Sequence, residues 1–292
     1  MNIYLARHGT TEWNTAHRLQ GLTDIELDKI GVEMARQTGT RLAEMGIRFD
    51  RVYSSPLKRV YHTARLLCGM EDTQAEIKPS DHNYGRHECI PLSAPAESIL
   101  SHPGTTIGQL PYPACHIRTD ERLRELCFGE FEGRNVDEMI ADPECVFRYF
   151  KTAPDRYNEE IGRMRGENVL PESLSDLLGR VTDFVSNVIE PLLHADFEFG
   201  LENRSNGSIP TGDTSDQSIG SILICGHGAL NRALLMYFKG ISDFSQFWGG
   251  GLQPNCGITK ITCTSTEPLK VSYEVQDECM VLYDPELNKP LL

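Results

Sequence analysis

At 292 residues the chain is long enough to bury about 75% of its unfolded surface without a disulfide or metal staple. No apolar run approaches the ~20 residues of a membrane helix. Twenty-eight Lys and Arg against forty-two Asp and Glu leave a net charge of −14, which argues against nucleic acid or an anionic membrane surface as main partner. In chain order, Asn2-Ile3-Tyr4-Leu5-Ala6 reads as a buried strand breaking into a turn at Arg7-His8-Gly9. Val32, Ala35, Gly39, Leu42 and Met45 recur at three and four, predicting an amphipathic helix over about 29–46. Residues 51–55 read as a second strand. A helix follows with Ser55 as N-cap, Pro56 at its first position, and Leu57, Val60, Ala64, Leu67 and Cys68 inward.

Beyond Gly69 the periodicity dissolves. Residues 79–119, rich in proline, are too long for an ordinary connection and read as an insertion. Residues 143–168 carry mixed helical signals and are a candidate lid. Glu172–His194 shows the strongest apolar stripe, from Leu174, Leu177, Leu178 and Val181 through Phe184, Val185, Val188, Ile189 and Leu192. Residues 196–218, rich in Gly, Ser, Asn, Asp and Thr, read as a mobile loop. Residues 221–225 form a buried strand ending at Gly226-His227-Gly228, a helix covers about 229–239, and 257–264 and 269–276 are β-rich. Length alone suggests roughly two domains. Strands alternating with helices, no repeat and no clean linker favour a single α/β domain over 1–292 with a largely parallel sheet.

Nine scattered cysteines with no C-x-x-C pair argue against a secreted disulfide framework. The first residues lack the basic and long apolar regions of a leader, so a cytoplasmic location is expected. His82, His87 and Cys89, with His102 and Cys115 downstream, fit no common zinc spacing, and no metal is expected.

Two histidines, His8 and His227, each stand where an apolar strand runs out, the edge at which α/β sheets bind ligands. Arg7 adjoins the first, and Arg59 lies in the first turn of the helix after Ser55. Glycines 9, 226 and 228 permit positive φ and close approach of backbone to a ligand. Backbone amides at the helix starts after Ser55 and Gly228 face an anion favourably. Planar guanidinium forks, imidazoles and helix N-termini on one point make a phosphate site.

Arg7-His8-Gly9-Thr10-Thr11-Glu12-Trp13-Asn14 with Arg18-Leu19-Gln20-Gly21 closely resembles the signature of the histidine phosphatase (phosphoglycerate mutase-like) superfamily, branch 1. Four further segments resemble that family in the same order: Tyr53–Arg59 with Thr63-Ala64, Leu123–Gly133, Pro171-Glu172-Ser173 without the usual glycines, and Gly226-His227-Gly228. The resemblance implies a three-layer α/β/α sandwich with a mostly parallel central sheet and no metal or cofactor. It implies His8 as the nucleophile that becomes phosphohistidine. Arg7, Arg59 and His227 hold the phosphoryl oxygens, with Asn14 and Gly228 as further substrate contacts, and Glu125 is the general acid. Glu12, Glu121, Glu130 and Glu132 are competing carboxylates, Thr10 stands where many relatives carry Glu, and Ser173 is equally readable as a helix cap.

The acid segment continues Leu126-Cys127-Phe128-Gly129, where mutases of the family typically continue Arg-His-Tyr-Gly. That form resembles the phosphatases, so hydrolysis of a small phosphorylated metabolite is the preferred expectation. Phosphoglycerate mutase-type transfer and a non-catalytic phospho-ligand binder are the alternatives. Neither nucleic acid nor membrane is an expected partner, and a homodimer is left open. Residues 148–165 hold Arg148, Lys151, Arg156, Arg163 and Arg165 against Asp155, Glu159 and Glu160. They form either a second anion site or a solvated helix face.

Overall fold

In the computed structural model, which describes residues 1–70, 116–164, 171–193, 220–267 and 270–291, six strands form one sheet. They are β1 (Asn2–Arg7), β2 (Arg51–Ser54), β3 (Ile117–Thr119), β4 (Ser221–Gly226), β5 (Ile258–Glu267) and β6 (Lys270–Met280), in the order β3-β2-β4-β1-β5-β6. The pairs β3/β2, β2/β4 and β4/β1 are parallel, whereas β5 runs antiparallel to both β1 and β6. The sheet is therefore mixed but mostly parallel, as expected.

Why the central strands are apolar on both faces is visible in the packing. Ile3, Leu5, Ile222 and Ile224 join one core with Leu177, Val181, Phe184, Leu230 and Leu234. Tyr4, Ala6, Leu223 and Cys225 point the other way, onto Leu42, Val60, Ala64 and Leu67. A strand buried on both faces cannot alternate polar with apolar, and the helices covering both faces make three layers.

The covering helices are α2 (Lys29–Glu44) and α3 (Lys58–Leu67) on one face, and α7 (Leu174–Phe184) and α8 (Gly228–Lys239) on the other. A short α1 (Glu12–Thr15) precedes them, and α4 (Val136–Ala141), α5 (Arg148–Thr152) and α6 (Pro154–Met164) lie between β3 and α7. No helix among the described residues is long and apolar enough to cross a membrane.

Several expectations need correction. Helix α3 begins at Lys58 with Leu57 as N-cap, not at Pro56. Ser55 Oγ still accepts from the Leu57 amide (3.3 Å), but the Lys58 amide is taken by Asp24 Oδ1 (2.8 Å) from a distant loop. The apolar run after Glu172 starts as helix only at Leu174, and Val185–Ile189 is a π-helical turn. Met45, expected on the inner stripe of α2, lies past the helix end and is exposed. The stretch read as one insertion over 79–119 ends in strand β3, whose three residues are too few for a periodic signal. Residues 79–115 and the loop at 196–218 lie outside the described residues, and with them His82, His87, Cys89, His102 and Cys115.

Candidate active site

Strands β1 and β4 are neighbours in register, with Arg7 opposite Gly226, so the residues that follow them meet. The His8 amide donates to Gly226 O (3.1 Å), and the rings of His8 and His227 stand edge to face with centroids 5.3 Å apart. Both are buried, and burial, reinforced by Arg59, pushes both imidazoles well below their ordinary range. Each is thus neutral near pH 7, and the partners fix the tautomers. Gly9 O, which can only accept, lies 2.7 Å from His8 Nδ1, so Nδ1 carries the proton and Nε2 the lone pair. His227 is the reverse: Nδ1 accepts from Arg59 Nη2 (3.2 Å), and Nε2 donates to Ser55 Oγ (2.9 Å).

Arg59 is fully buried, and burial draws its guanidinium down to about 10 despite the nearby carboxylates. Nη1 donates to Thr23 O (2.9 Å) and Nη2 to Gly21 O (2.8 Å). Arg7 Nη1 donates to Gln253 O (2.7 Å). The Nε atoms of both arginines are buried and have no hydrogen-bond partner among the described residues. Leaving a buried charged donor unmet costs more than the ~1–3 kcal/mol of a neutral one, so these two N–H groups are suited to an anion.

Glu125 closes the site. Its Oε1 accepts from the amides of Leu126 (2.9 Å) and Leu230 (3.0 Å), and Oε2 from Ala229 (3.2 Å). Burial raises its pKa, and the three amides and Arg59 offset only part of that rise. The first amides of α8, expected to face an external anion, are therefore occupied by this carboxyl. A Cβ added to Gly228 would meet Leu252 Cδ1 at 2.9 Å and would stand in ordinary contact with Glu125 Oε2 (3.6 Å) and Arg7 Nε (3.8 Å). The φ of Gly228 is not positive, and neither are those of Gly9 and Gly226. Gly9 needs its missing Cβ because the Gly31 carbonyl oxygen lies 2.6 Å from where that atom would stand.

A family model of the histidine phosphatase superfamily (branch 1) matches residues 3–98 and 105–192. The chain belongs to that superfamily. Among curated relatives, the 2,3-bisphosphoglycerate-dependent phosphoglycerate mutase of Treponema denticola is 26% identical over 248 residues, covering 83% of this chain and 80% of the relative. Two solved structures share the fold. A phosphoglycerate mutase from Bacillus anthracis superposes with a TM-score of 0.58 at 20% identity, over 99% of this chain and 96% of that one. A mycobacterial glucosyl-3-phosphoglycerate phosphatase gives 0.57 at 18%, over 95% and 98%.

Other residues complete the site of this superfamily member that residue-type reasoning did not single out. Arg180 on α7 donates to the backbone oxygens of Arg122 (2.6 Å), Arg124 (2.7 Å) and Glu125 (3.0 Å). Its Nε and Nη2 hold Glu172, whose Oε2 accepts from the Cys127 amide (3.0 Å). The pair fixes the backbone on both sides of Glu125. Asn255 Nδ2 donates to the oxygens of His8 (3.0 Å) and Gly9 (3.3 Å), steadying the acceptor that sets the His8 tautomer. Arg180 follows the Pro171-Glu172-Ser173 segment by two turns of α7, whereas Asn255 lies far from every motif in sequence and is brought in by the direction of β5.

Glu132, weighed as a rival acid, has a different place. Oε1 accepts from the amides of Leu22 (2.9 Å) and Phe128 (3.2 Å), and Oε2 from the Thr23 amide (2.9 Å) and hydroxyl (2.6 Å). It ties the acid segment to the loop whose Gly21 and Thr23 carbonyls hold Arg59. Glutamine offers one acceptor oxygen and turns an amide donor toward the other pair of donors. Glu132→Gln is therefore expected to lose about 1–3 kcal/mol in denaturant unfolding. Its kcat/KM is expected to fall roughly tenfold as Arg59 loosens. A fully stable, fully active variant contradicts this positioning role.

The remaining candidates separate cleanly. Asn14 is N3 of the α1 capping box, its Oδ1 accepting from the Thr11 amide (3.0 Å) and its Nδ2 remaining as a donor. Thr10 Oγ1 donates to Asp28 Oδ1 (2.7 Å), the N-cap of α2. Glu12 and Glu130 are exposed, and Glu121 pairs with Arg124 (3.2 Å). Ser173 caps α7. Arg156 pairs with Glu160, and Arg163 with Glu159 and Glu160, along α6, while Arg165 lies outside the described residues.

Proposed function

We propose that this protein is a phosphomonoesterase acting on a small phosphorylated metabolite through a phosphohistidine on His8. The observation that carries the reading is the pair of buried, unmet N–H groups of Arg7 and Arg59 beside a neutral imidazole whose Nδ1 is already committed to Gly9 O. Phosphoryl transfer asks for little beyond positioning and fixed positive charge on the equatorial oxygens. Arg7 Nε and Arg59 Nε supply that charge, Asn14 Nδ2 adds a donor, and His227 Nε2–H exchanges Ser55 for a phosphoryl oxygen.

In the first step His8 Nε2 forms the N–P bond while the ester P–O bond breaks. Glu125, whose pKa burial raises, gives its proton to the departing alkoxide oxygen when protonated. In the second step the Glu125 carboxylate takes a proton from water, the hydroxide oxygen bonds to phosphorus, and the P–N bond breaks. Inorganic phosphate leaves with both groups restored.

Hydrolysis is favoured over mutase-type transfer because Leu126, Cys127 and Phe128 are buried apolar side chains where the mutase pattern has Arg-His-Tyr. The mutase names among the curated relatives support the second reading. Incubation with 3-phosphoglycerate, followed by phosphorus NMR, separates them. Hydrolysis predicts inorganic phosphate without accumulation of the 2-isomer, and isomer without phosphate release establishes the mutase. A pure phospho-ligand binder gives neither and also releases no phosphate from p-nitrophenyl phosphate. The partner is then a small phosphate ester, with neither nucleic acid nor membrane required.

A further inference from the structure

The segment between α8 and β5 runs Gly249-Gly250-Gly251-Leu252-Gln253. Both ends of it are fastened. Gln253 is buried, with Nε2 donating to Leu5 O (2.9 Å) and Gly257 O (2.8 Å) and Oε1 accepting from Asn231 Nδ2 (2.7 Å). On the other side the amides of Gly249 and Gly251 donate to Gln246 O (2.9 Å) and Trp248 O (2.7 Å). Gly250 packs so close to Arg232 and Glu278 that an added Cβ would stand 2.9 Å from each.

On this fastened segment Leu252 is 52% exposed. A lone exposed leucine needs no explanation, but the place of this one does. Its Cδ1, Glu125 Oε2 and Arg7 Nε all lie within 4 Å of one point, the position of a Cβ on Gly228. A water-facing isobutyl group therefore stands beside the carboxyl oxygen that protonates the leaving group and beside an arginine that grips the phosphoryl group.

We propose that Leu252 is the apolar wall of a leaving-group subsite. It selects monophosphate esters whose alcohol carries a hydrocarbon chain or ring next to the ester oxygen over esters that carry a second charge there. The inference rests on the assignment of Glu125 as the leaving-group acid. An apolar ester covers Leu252 and gains its contact area, whereas a second carboxylate or phosphate set against the isobutyl group gives up hydration there.

Hexyl and ethyl phosphate test this directly, since both release primary alkoxides and differ in apolar reach. The wild-type protein is expected to favour hexyl phosphate in kcat/KM by about tenfold. Leu252→Ala is expected to remove most of that preference, and Leu252→Asp to abolish it. Because the side chain is half exposed, melting temperature should stay close to wild type in both variants. Radiolabel from the ester trapped on His8 is followed in parallel. Labelled His8 with a hexyl-to-ethyl ratio unchanged by Leu252→Ala overturns the subsite while leaving the phosphatase reading intact. No label and no turnover with either ester removes both.

Discussion

Replacing His8 with alanine is expected to lower kcat/KM on p-nitrophenyl phosphate by about 10^5-fold, the scale seen when a covalent nucleophile is deleted. The reason is local. His8 is the one imidazole in the site whose Nδ1 proton is committed to a backbone carbonyl, leaving Nε2 with a lone pair. His227 cannot take over, because its Nδ1 lone pair accepts from Arg59 and its Nε2 holds the proton given to Ser55. Rapid quench with labelled ester should trap an acid-labile, base-stable phosphoprotein in the wild type and none in the variant. The variant should keep its fold, since β1 and β4 hold their register through six backbone pairings that do not involve the ring. Turnover within tenfold of wild type by a folded variant would falsify the covalent route.

Glu125→Gln is the second large loss. The amide keeps an acceptor for Leu126 and Leu230 but has no proton to give, so hydrolysis of an alkyl phosphate is expected to fall by about 10^2 to 10^4-fold. A good leaving group such as p-nitrophenolate needs less help, and its loss should be much smaller. The pH profile carries the sharper prediction. The Glu125 pKa is raised above its ordinary value of 4.5, and the protonated form is the proposed acid. Activity on alkyl esters is then full below that raised pKa and declines as pH climbs through it. In Glu125→Gln this alkaline decline should vanish. A variant that retains the decline places the acid elsewhere.

Much of this site is legible in the residues because the chemistry sits at the ends of apolar strands. Arg7-His8-Gly9 and Gly226-His227-Gly228 each terminate a run buried on both faces, and parallel neighbours bring such ends together. Glu125 is readable only through its motif, since nothing in its own surroundings distinguishes it from Glu121, Glu130 or Glu132 until burial and the amides of α8 are seen. Gln253 and Asn255 are hidden for a topological reason. Strand β5 runs against β1, so the residues before it, and not those after it, reach the catalytic edge. No local pattern encodes that direction. The start of α3 is hidden similarly, because the Lys58 amide is capped by Asp24 from another loop.

The ladder between β1 and β4 has an evolutionary corollary. Adjacent strands lie about 4.8 Å apart in any sheet, and the two imidazoles, each one residue past its strand, are separated by 5.3 Å between centroids. The gap between His8 and His227 is thus set by β-structure, indifferent to the chain between them. Intervening connections are free to grow, shrink or diverge while the reacting pair keeps its spacing, which suits one scaffold to many different esters.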